Sequence, residues 1–423
     1  MINLIKNNFK KHSETINNFT WRCLQIFGKQ GVTFLIFVLC SRLLTPYNFG
    51  IYNYILAIIF FLVMFGDFGI STATSKYVAE YNIVNKNKLK AVLFNSGLII
   101  FIITSVITIV TVSIGSFYLK DKYTYFLWLL PLIFLSPMTS LYDGIYRGLK
   151  KFKQLAIISL AIGFVSIPFV YFMVNNYGLV GALFSQNIFY LSLLAGLYFG
   201  YSDFHFKFNK EVIKEIGKYS FTYGVAVIGY YLFSRVDILI LGHYGFIKEI
   251  AVYEIINKIF MILLIPFSII GQIIGPNFTE FYIKKQYNKI YYKLKKYIIL
   301  SIVSGFIFGV STYFILPYII KLFFFNYYNN IFSLIFFPCV IIYSLQVYAT
   351  YINSGIIVST GHAKLMTYLN LWLGILNLIL ALVLIRLFGF VGVIYATMIS
   401  LIIGIIILHT QYFYIINKLN NDE

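Results

Sequence analysis

Twelve apolar stretches, each long enough to cross a bilayer, divide this chain, and the connections between them alternate between lysine-rich and nearly uncharged. A spanning helix needs about 20 mostly apolar residues at a rise of about 1.5 Å each. The stretches fall near 21–44, 50–70, 91–118, 124–143, 153–173, 177–199, 216–241, 250–275, 297–320, 331–353, 364–386 and 390–414. They are continuous runs, whereas strands of a membrane barrel alternate polar and apolar positions over about 10 residues. Hydrocarbon offers no partner to a backbone N–H or C=O, so each span must bond internally, and helices carry the whole fold. Only 11% of the residues are charged and 60% are hydrophobic. A soluble domain carries about a quarter charged residues, so a water-soluble core is excluded.

The formal net charge of +19 follows topology rather than forming a patch. Lysines and arginines crowd the N-terminus (Lys6, Lys10, Lys11) and the second, fourth, sixth and eighth connections, among them Lys76, Arg147, Lys214 and Lys293. The odd connections hold only Lys120, Lys122, Lys248, Lys321 and Arg386. The positive-inside rule then places both termini and every even connection in the cytoplasm. Lysine far exceeds arginine, and Ile, Asn, Tyr and Phe abound, as in a bacterium with an AT-rich genome, so a bacterial cytoplasmic membrane is the expected location. Membrane lipids are its surroundings and nucleic acid is not a partner. Residues 1–18 lack the apolar core and small-residue cleavage site of a secretory signal, so the first span is expected to stay. Cys23, Cys40 and Cys339 are isolated and read as small apolar residues, not metal ligands.

The chain is built twice. Asn176-Tyr177-Gly178-Leu179-Val180-Gly181 opens the sixth span and Leu387-Phe388-Gly389-Phe390-Val391-Gly392 opens the twelfth. Gly50-Ile51-Tyr52 at the second span is echoed by Ala251-Val252-Tyr253 at the eighth. Each unit holds six spans, an even number, so both enter the membrane with the same orientation. The expected domains are an N-terminal lobe at 1–199, a cytoplasmic linker at 200–215 and a C-terminal lobe at 216–423, with a central cavity where the repeats meet.

Arg42 to Tyr52 (Arg-Leu-Leu-Thr-Pro-Tyr-Asn-Phe-Gly-Ile-Tyr) resembles the first outside turn of the Wzx-type polysaccharide flippases, members of the multidrug/oligosaccharidyl-lipid/polysaccharide (MOP) exporter superfamily. Gly66-Asp67-Phe68-Gly69-Ile70-Ser71 is similar to the end of that family's second helix. Asp237 to Gly242 and Ala251 to Tyr253 are similar to its seventh and eighth. The resemblance implies an all-α, MATE-like fold of about twelve transmembrane helices in two parallel lobes. It also implies a carrier that moves undecaprenyl-diphosphate-linked oligosaccharide, the repeat unit of O-antigen, capsule or another surface polysaccharide, from the inner to the outer leaflet. A polymerase or other polysaccharide-assembly protein would be its partner.

Charges placed inside spans cost about 2.5–3.5 kcal/mol each on insertion scales and therefore face a wet cavity or a partner. Lys29, Arg235 and Lys258 are the candidate substrate-binding cations, because ammonium and guanidinium groups offer charge-assisted hydrogen bonds to phosphate. Asp237, Glu254 and Asp67 are candidates for ion pairing or coupling. Spacing pairs Arg235 with Glu254 and Asp237 with Lys258 across the short turn between the seventh and eighth spans. Gln30, Gln186, Asn187, Gln346, Asn370 and Asn377 are candidate sugar contacts, with interhelical hydrogen bonding as the alternative role. Prolines at 131, 137, 168, 266, 317 and 338 are expected to kink their spans.

No phosphate loop, zinc spacing or Ser-His-Asp order is present, so neither an ATPase nor a hydrolase is expected, nor a cofactor or metal. A membrane glycosyltransferase or polymerase needs ionisable residues in a large outer loop, and the turn at 45–50 offers no carboxylate. A multidrug or cation exporter calls for an acidic or aromatic cavity. Transport is expected by alternating access, driven by membrane potential, Na+ or H+.

Overall fold

The structure, a computed structural model, describes residues 2–201, 206–352, 356–357 and 359–421, with the side chains of residues 2–16, 18, 19, 272, 351, 363 and 421 outside the description. The linker expected at 200–215 therefore lies partly outside the described residues. Among those described there are α-helices and short 3-10 or π turns but no strand. The helices are α1 (Ile2–Leu43), α2 (Pro46–Asp67), α3 (Ile70–Val84), α4 (Lys86–Leu119), α5 (Tyr123–Leu129), α6 (Leu132–Gly148), α7 (Phe152–Gly200) and α8 (Lys210–His243). They continue with α9 (Ile247–Leu263), α10 (Ile265–Ile283), α11 (Tyr287–Phe323), α12 (Asn330–Ile352), α13 (Ala363–Phe388) and α14 (Phe390–Asn421). The chain divides into two compact units, Met1–Val227 and Ile228–Glu423, with the boundary inside α8.

Ten stretches among the described residues are long and apolar enough to cross a membrane. The two remaining expected spans are physically present. One is hidden in α7, whose 49 residues would reach about 74 Å if straight, more than twice a hydrocarbon core. Gly178 has φ 55° and ψ −129° there, and a Cβ on Gly181 would collide with the Met173 carbonyl oxygen. Residues eight apart in a straight helix are about 12 Å apart, so the chain folds back at Gly178 into two antiparallel spans. The other is the fourth span, which Pro131 divides into α5 and α6.

The same turn recurs in the second unit. Gly389 has φ 61° and ψ −146° between α13 and α14, and a Cβ on Gly392 would collide with the Leu384 carbonyl oxygen. The repeated Gly-x-x-Gly spacing thus encodes one backbone device twice: the first glycine takes dihedrals that strain any L-residue, and the second lets helix backbones touch. Of the prolines, Pro131 and Pro266 stand at helix starts, while Pro137, Pro168, Pro317 and Pro338 lie inside helices.

Local chemistry sets the other boundaries. Thr45 accepts the Asn48 N–H at 3.3 Å and Pro46 supplies the first helical φ, so α2 starts there. Phe68 and Gly69 are left-handed (φ 38° and 80°) and end it. Asp67 bridges this break by accepting both the N–H and the hydroxyl of Ser71, at 2.8 and 2.7 Å. Gly144 and Gly148, one turn apart on α6, face the backbone of α3, where a Cβ on Gly148 would stand 2.7 Å from Ser75 O. Small residues here let two helices approach without side chains between them, which fixes the rotation of α6.

Each unit has its own core, including Ile100, Leu141, Tyr146 and Leu197 in the first and Phe278, Leu294, Val347 and Tyr412 in the second. Large apolar side chains also cover outer faces: Ile109 on α4 and Phe306 on α11 are 67% and 72% exposed. A soluble protein would bury such stripes, whereas acyl chains solvate them at no cost. Cys40 and Cys339 are buried and Cys23 half-buried, all with free thiols.

Outside the spans, His362 sits between the rings of Tyr282 and Tyr412, 3.2 Å from the Thr360 hydroxyl. Burial holds its imidazole below the usual 6.5. The unfolded chain therefore takes up a proton first on acidification, so stability is level above about pH 6.5 and falls below it. The unfolding midpoint in detergent is expected to drop more for the wild type than for His362→Gln between about pH 7.5 and about pH 5.5. Equal drops would remove His362 as the cause.

Candidate functional site

Polar residues sit in these apolar helices at helical spacing, so each series shares a face. On α1 the series is Arg22, Gln25, Lys29 and Gln30; on α6 it is Ser136, Thr139, Ser140, Asp143 and Arg147. The two faces line one cavity of about 310 Å³ in the first unit. Ser71 of α3 and Ser159 and Tyr190 of α7 complete its polar wall. Three cations and one carboxylate stand among the lining side chains, a net of +2.

Asp143 ties the two faces together. Its Oδ2 lies 2.7 Å from Arg147 Nε one turn away. Its Oδ1 accepts from Gln25 Nε2 at 3.1 Å and lies 3.7 Å from Arg22 Nη1. Arg22 also donates to Gln25 Oε1. Gln25 is 4% exposed, whereas the Arg22, Asp143 and Arg147 side chains keep 25–31% of their surface open. The amide is thus a fixed spacer behind ionic groups that reach the cavity.

The second unit holds a different polar cluster. Arg235 Nη1 of α8 donates to Glu254 Oε1 and Oε2 of α9 at 2.8 and 2.9 Å, and Asn257 Nδ2 adds a bond to Oε1 at 3.2 Å. Tyr343 of α12 donates to Asn257 Oδ1 and stacks on Phe260 at 3.9 Å. Arg235 and Glu254 meet as their spacing implies. Asp237 departs from the expected pairing with Lys258: its oxygens take the Tyr253 hydroxyl and the Ile238 N–H instead. The reason is rotation. Residues 235 and 237 project to nearly opposite sides of α8, and Asp237 at 3% exposure faces the α9 tyrosine. Arg235 is thus committed to Glu254, and the cluster locks three helices.

Of the residues singled out from sequence, Lys29 and Gln30 line the cavity. Asp67 lies just behind it through Ser71. Gln186 donates to the Tyr52 hydroxyl at 2.6 Å and Asn187 to the Trp128 carbonyl, both within the first unit. Asn377 is fully buried, near Phe233 O at 3.4 Å and the Thr397 hydroxyl at 3.5 Å. Gln346 and Asn370 are half-buried on α12 and α13. Interhelical bonding, the alternative role, accounts for Gln186, Asn187 and Asn377. Arg22, Gln25, Asp143 and Arg147 do not stand out as site residues in the sequence. Their signal is the three-to-four-residue recurrence of polar side chains along two otherwise apolar spans. Among the described residues no three His, Cys, Asp or Glu side chains group to hold a metal ion.

A family model described as polysaccharide biosynthesis protein matches residues 15–282. An uncharacterized membrane protein of Methanocaldococcus jannaschii is 26% identical over 399 residues, covering 88% of this chain and 91% of that protein. Among solved structures, an inward-facing multidrug resistance MATE family transporter of the MOP superfamily superposes with a TM-score of 0.73 at 14% identity, over 95% of this chain and 99% of its own. The lipid II flippase MurJ, in an inward closed conformation, superposes with a TM-score of 0.72 at 17% identity, over 94% and 87%. A MOP superfamily transporter from Pyrococcus furiosus, described as having a binding pocket of reverse polarity, gives a TM-score of 0.62 at 14% identity, over 96% of each chain. At these identities the superpositions establish the fold alone: an all-α, multi-pass MATE-like architecture of about twelve membrane-spanning segments.

Proposed function

We propose that this chain, which belongs to the polysaccharide biosynthesis protein family, is a flippase that carries an undecaprenyl-diphosphate-linked oligosaccharide from the inner to the outer leaflet of the cytoplasmic membrane. The observation that supports this reading is the cavity of the first unit, where Arg22, Lys29 and Arg147 outnumber the one carboxylate. Net positive charge in the cavity wall suits a phosphate-bearing head and repels the lipophilic cations a multidrug exporter would take.

The roles follow from the donors. Arg22, Lys29 and Arg147 supply charge-assisted hydrogen bonds to the diphosphate. Gln30 and the hydroxyls of Ser136, Thr139 and Ser140 are matched to sugar hydroxyls. A volume of about 310 Å³ is at the lower end of small-molecule pockets, about 300–1,000 Å³. It holds a diphosphate and the adjoining sugar while the lipid tail stays among acyl chains. No bond is made or broken; exposing the cavity first to one membrane face and then to the other is the whole task. With the basic ends of the units in the cytoplasm, an inside-negative potential favours outward movement of the anion by roughly 2.3 kcal/mol per charge per 100 mV.

A leaflet-accessibility assay in proteoliposomes tests this. Lys29→Gln is expected to lower transport at subsaturating lipid-linked oligosaccharide by about tenfold, one charge-assisted hydrogen bond. Adding Arg22→Gln should reduce it further. Undiminished transport by the double variant, or preferential uptake of a lipophilic cation by the wild type, would sink the proposal.

A further inference from the structure

We infer that Asp143 is a resident counter-anion: it holds Arg22 and Arg147 in place until a phosphate-bearing headgroup takes them over, and by competing for them it sets how tightly that headgroup is held. The inference rests on the reading of the cavity as an anion site.

The geometry separates Asp143 from an ordinary structural ion pair. Glu254 is enclosed, its side chain 8% exposed, and both its oxygens bond one guanidinium nitrogen within 2.9 Å. Asp143 stands at the cavity wall with 25% of its side chain exposed. Its two oxygens serve cations on two different helices, Arg147 at 2.7 Å and Arg22 at 3.7 Å. The second distance is an ion pair without a direct hydrogen bond, so that guanidinium keeps donors for another acceptor.

A phosphate carries more charge and more acceptor oxygens than a carboxylate and takes arginine in bidentate fashion. A diphosphate therefore displaces Asp143 from Arg22 at least, and leaves the carboxylate facing it across the cavity. That like charge weakens retention. A carrier needs binding strong enough to load and weak enough to release, as in any conducting site. Without Asp143 the wall would present three uncompensated cations, and the headgroup would bind more tightly and leave more slowly. Gln25, buried and bonded to both Arg22 and Asp143, keeps the two at the separation that makes exchange possible.

The test uses the full chain in detergent and in proteoliposomes, with geranyl diphosphate as the probe and geraniol as its phosphate-free control. If the arginines are free about one-tenth of the time, Asp143→Asn binds geranyl diphosphate about tenfold more tightly than the wild type. In the same variant maximal flipping of the lipid-linked oligosaccharide falls while its half-saturating concentration also falls. Asp143→Glu, which restores the charge, reverses the gain, and Arg22→Gln shrinks it. Equal or weaker binding by Asp143→Asn at an unchanged unfolding midpoint overturns the inference, as does an equal gain for geraniol. Absence of geranyl diphosphate binding by the wild type and every variant overturns the anion-site reading itself. Should Asp143→Asn fail to fold, infrared difference spectra of the wild type decide. Adding geranyl diphosphate should shift a carboxylate stretch that moves in Asp143→Glu, and no shift counts against displacement.

Discussion

Arg235→Leu is expected to destabilise the second unit by about 3–5 kcal/mol, the cost of leaving a buried charge without its partner. Glu254 would then lose both guanidinium bonds and keep the Asn257 amide at 3.2 Å. The double variant Arg235→Leu/Glu254→Leu should recover most of the loss, because removing both charges removes the desolvation penalty together with the attraction. Unfolding midpoints in detergent read the stability, and flipping assays on the rescued variant read the role. If the pair only locks α8 to α9, the double variant transports. A stable double variant without transport would mean that Arg235 touches the substrate after all. A single variant as stable as the wild type would contradict the buried pair.

Gly181→Ala and Gly392→Ala are expected to cost about 3 kcal/mol or more each, at the upper end of overpacking. In both, the new methyl meets a backbone carbonyl oxygen, of Met173 or Leu384, which has no rotamer to escape into. Gly217→Ala is the control. A Cβ there meets nothing within 4 Å, so the substitution should be neutral or stabilising by up to about 1 kcal/mol through helix propensity. Equal unfolding midpoints for all three variants would show that the two turns are looser than described. If Gly181→Ala fails and Gly392→Ala does not, the repeat is one of sequence rather than of stability.

The repeat shows how far sequence reaches here. Gly178 and Gly389 align by residue type alone, and their near-identical dihedrals give the alignment a physical cause. The start of α2 at Pro46 precedes the apolar stretch at 50–70, because the Thr45 cap and the first turn lie outside the apolar run. Spacing also brought Arg235 to Glu254, because the turn between α8 and α9 is short enough that only depth matters. It mispaired Asp237, where helix rotation decides, and rotation depends on packing against Tyr253.

The cavity was harder to read. Lys29 stands out as a charge deep in an apolar run, but Asp143 and Arg147 lie near a span's end, where charges are common and cheap. Only the approach of α6 to α3 through Gly144 and Gly148 turns that end inward, toward Arg22 and Gln25.

Sequence alone determined that the chain spans a membrane as helices, where the spans lie and which connections carry the charge. Those properties follow from the transfer of each residue between water and hydrocarbon, which is additive along the chain. Tertiary structure decided which polar residues share a wall and which cancel one another. That depends on the rotation of each helix about its axis, and rotation is set by contacts between residues far apart in the chain.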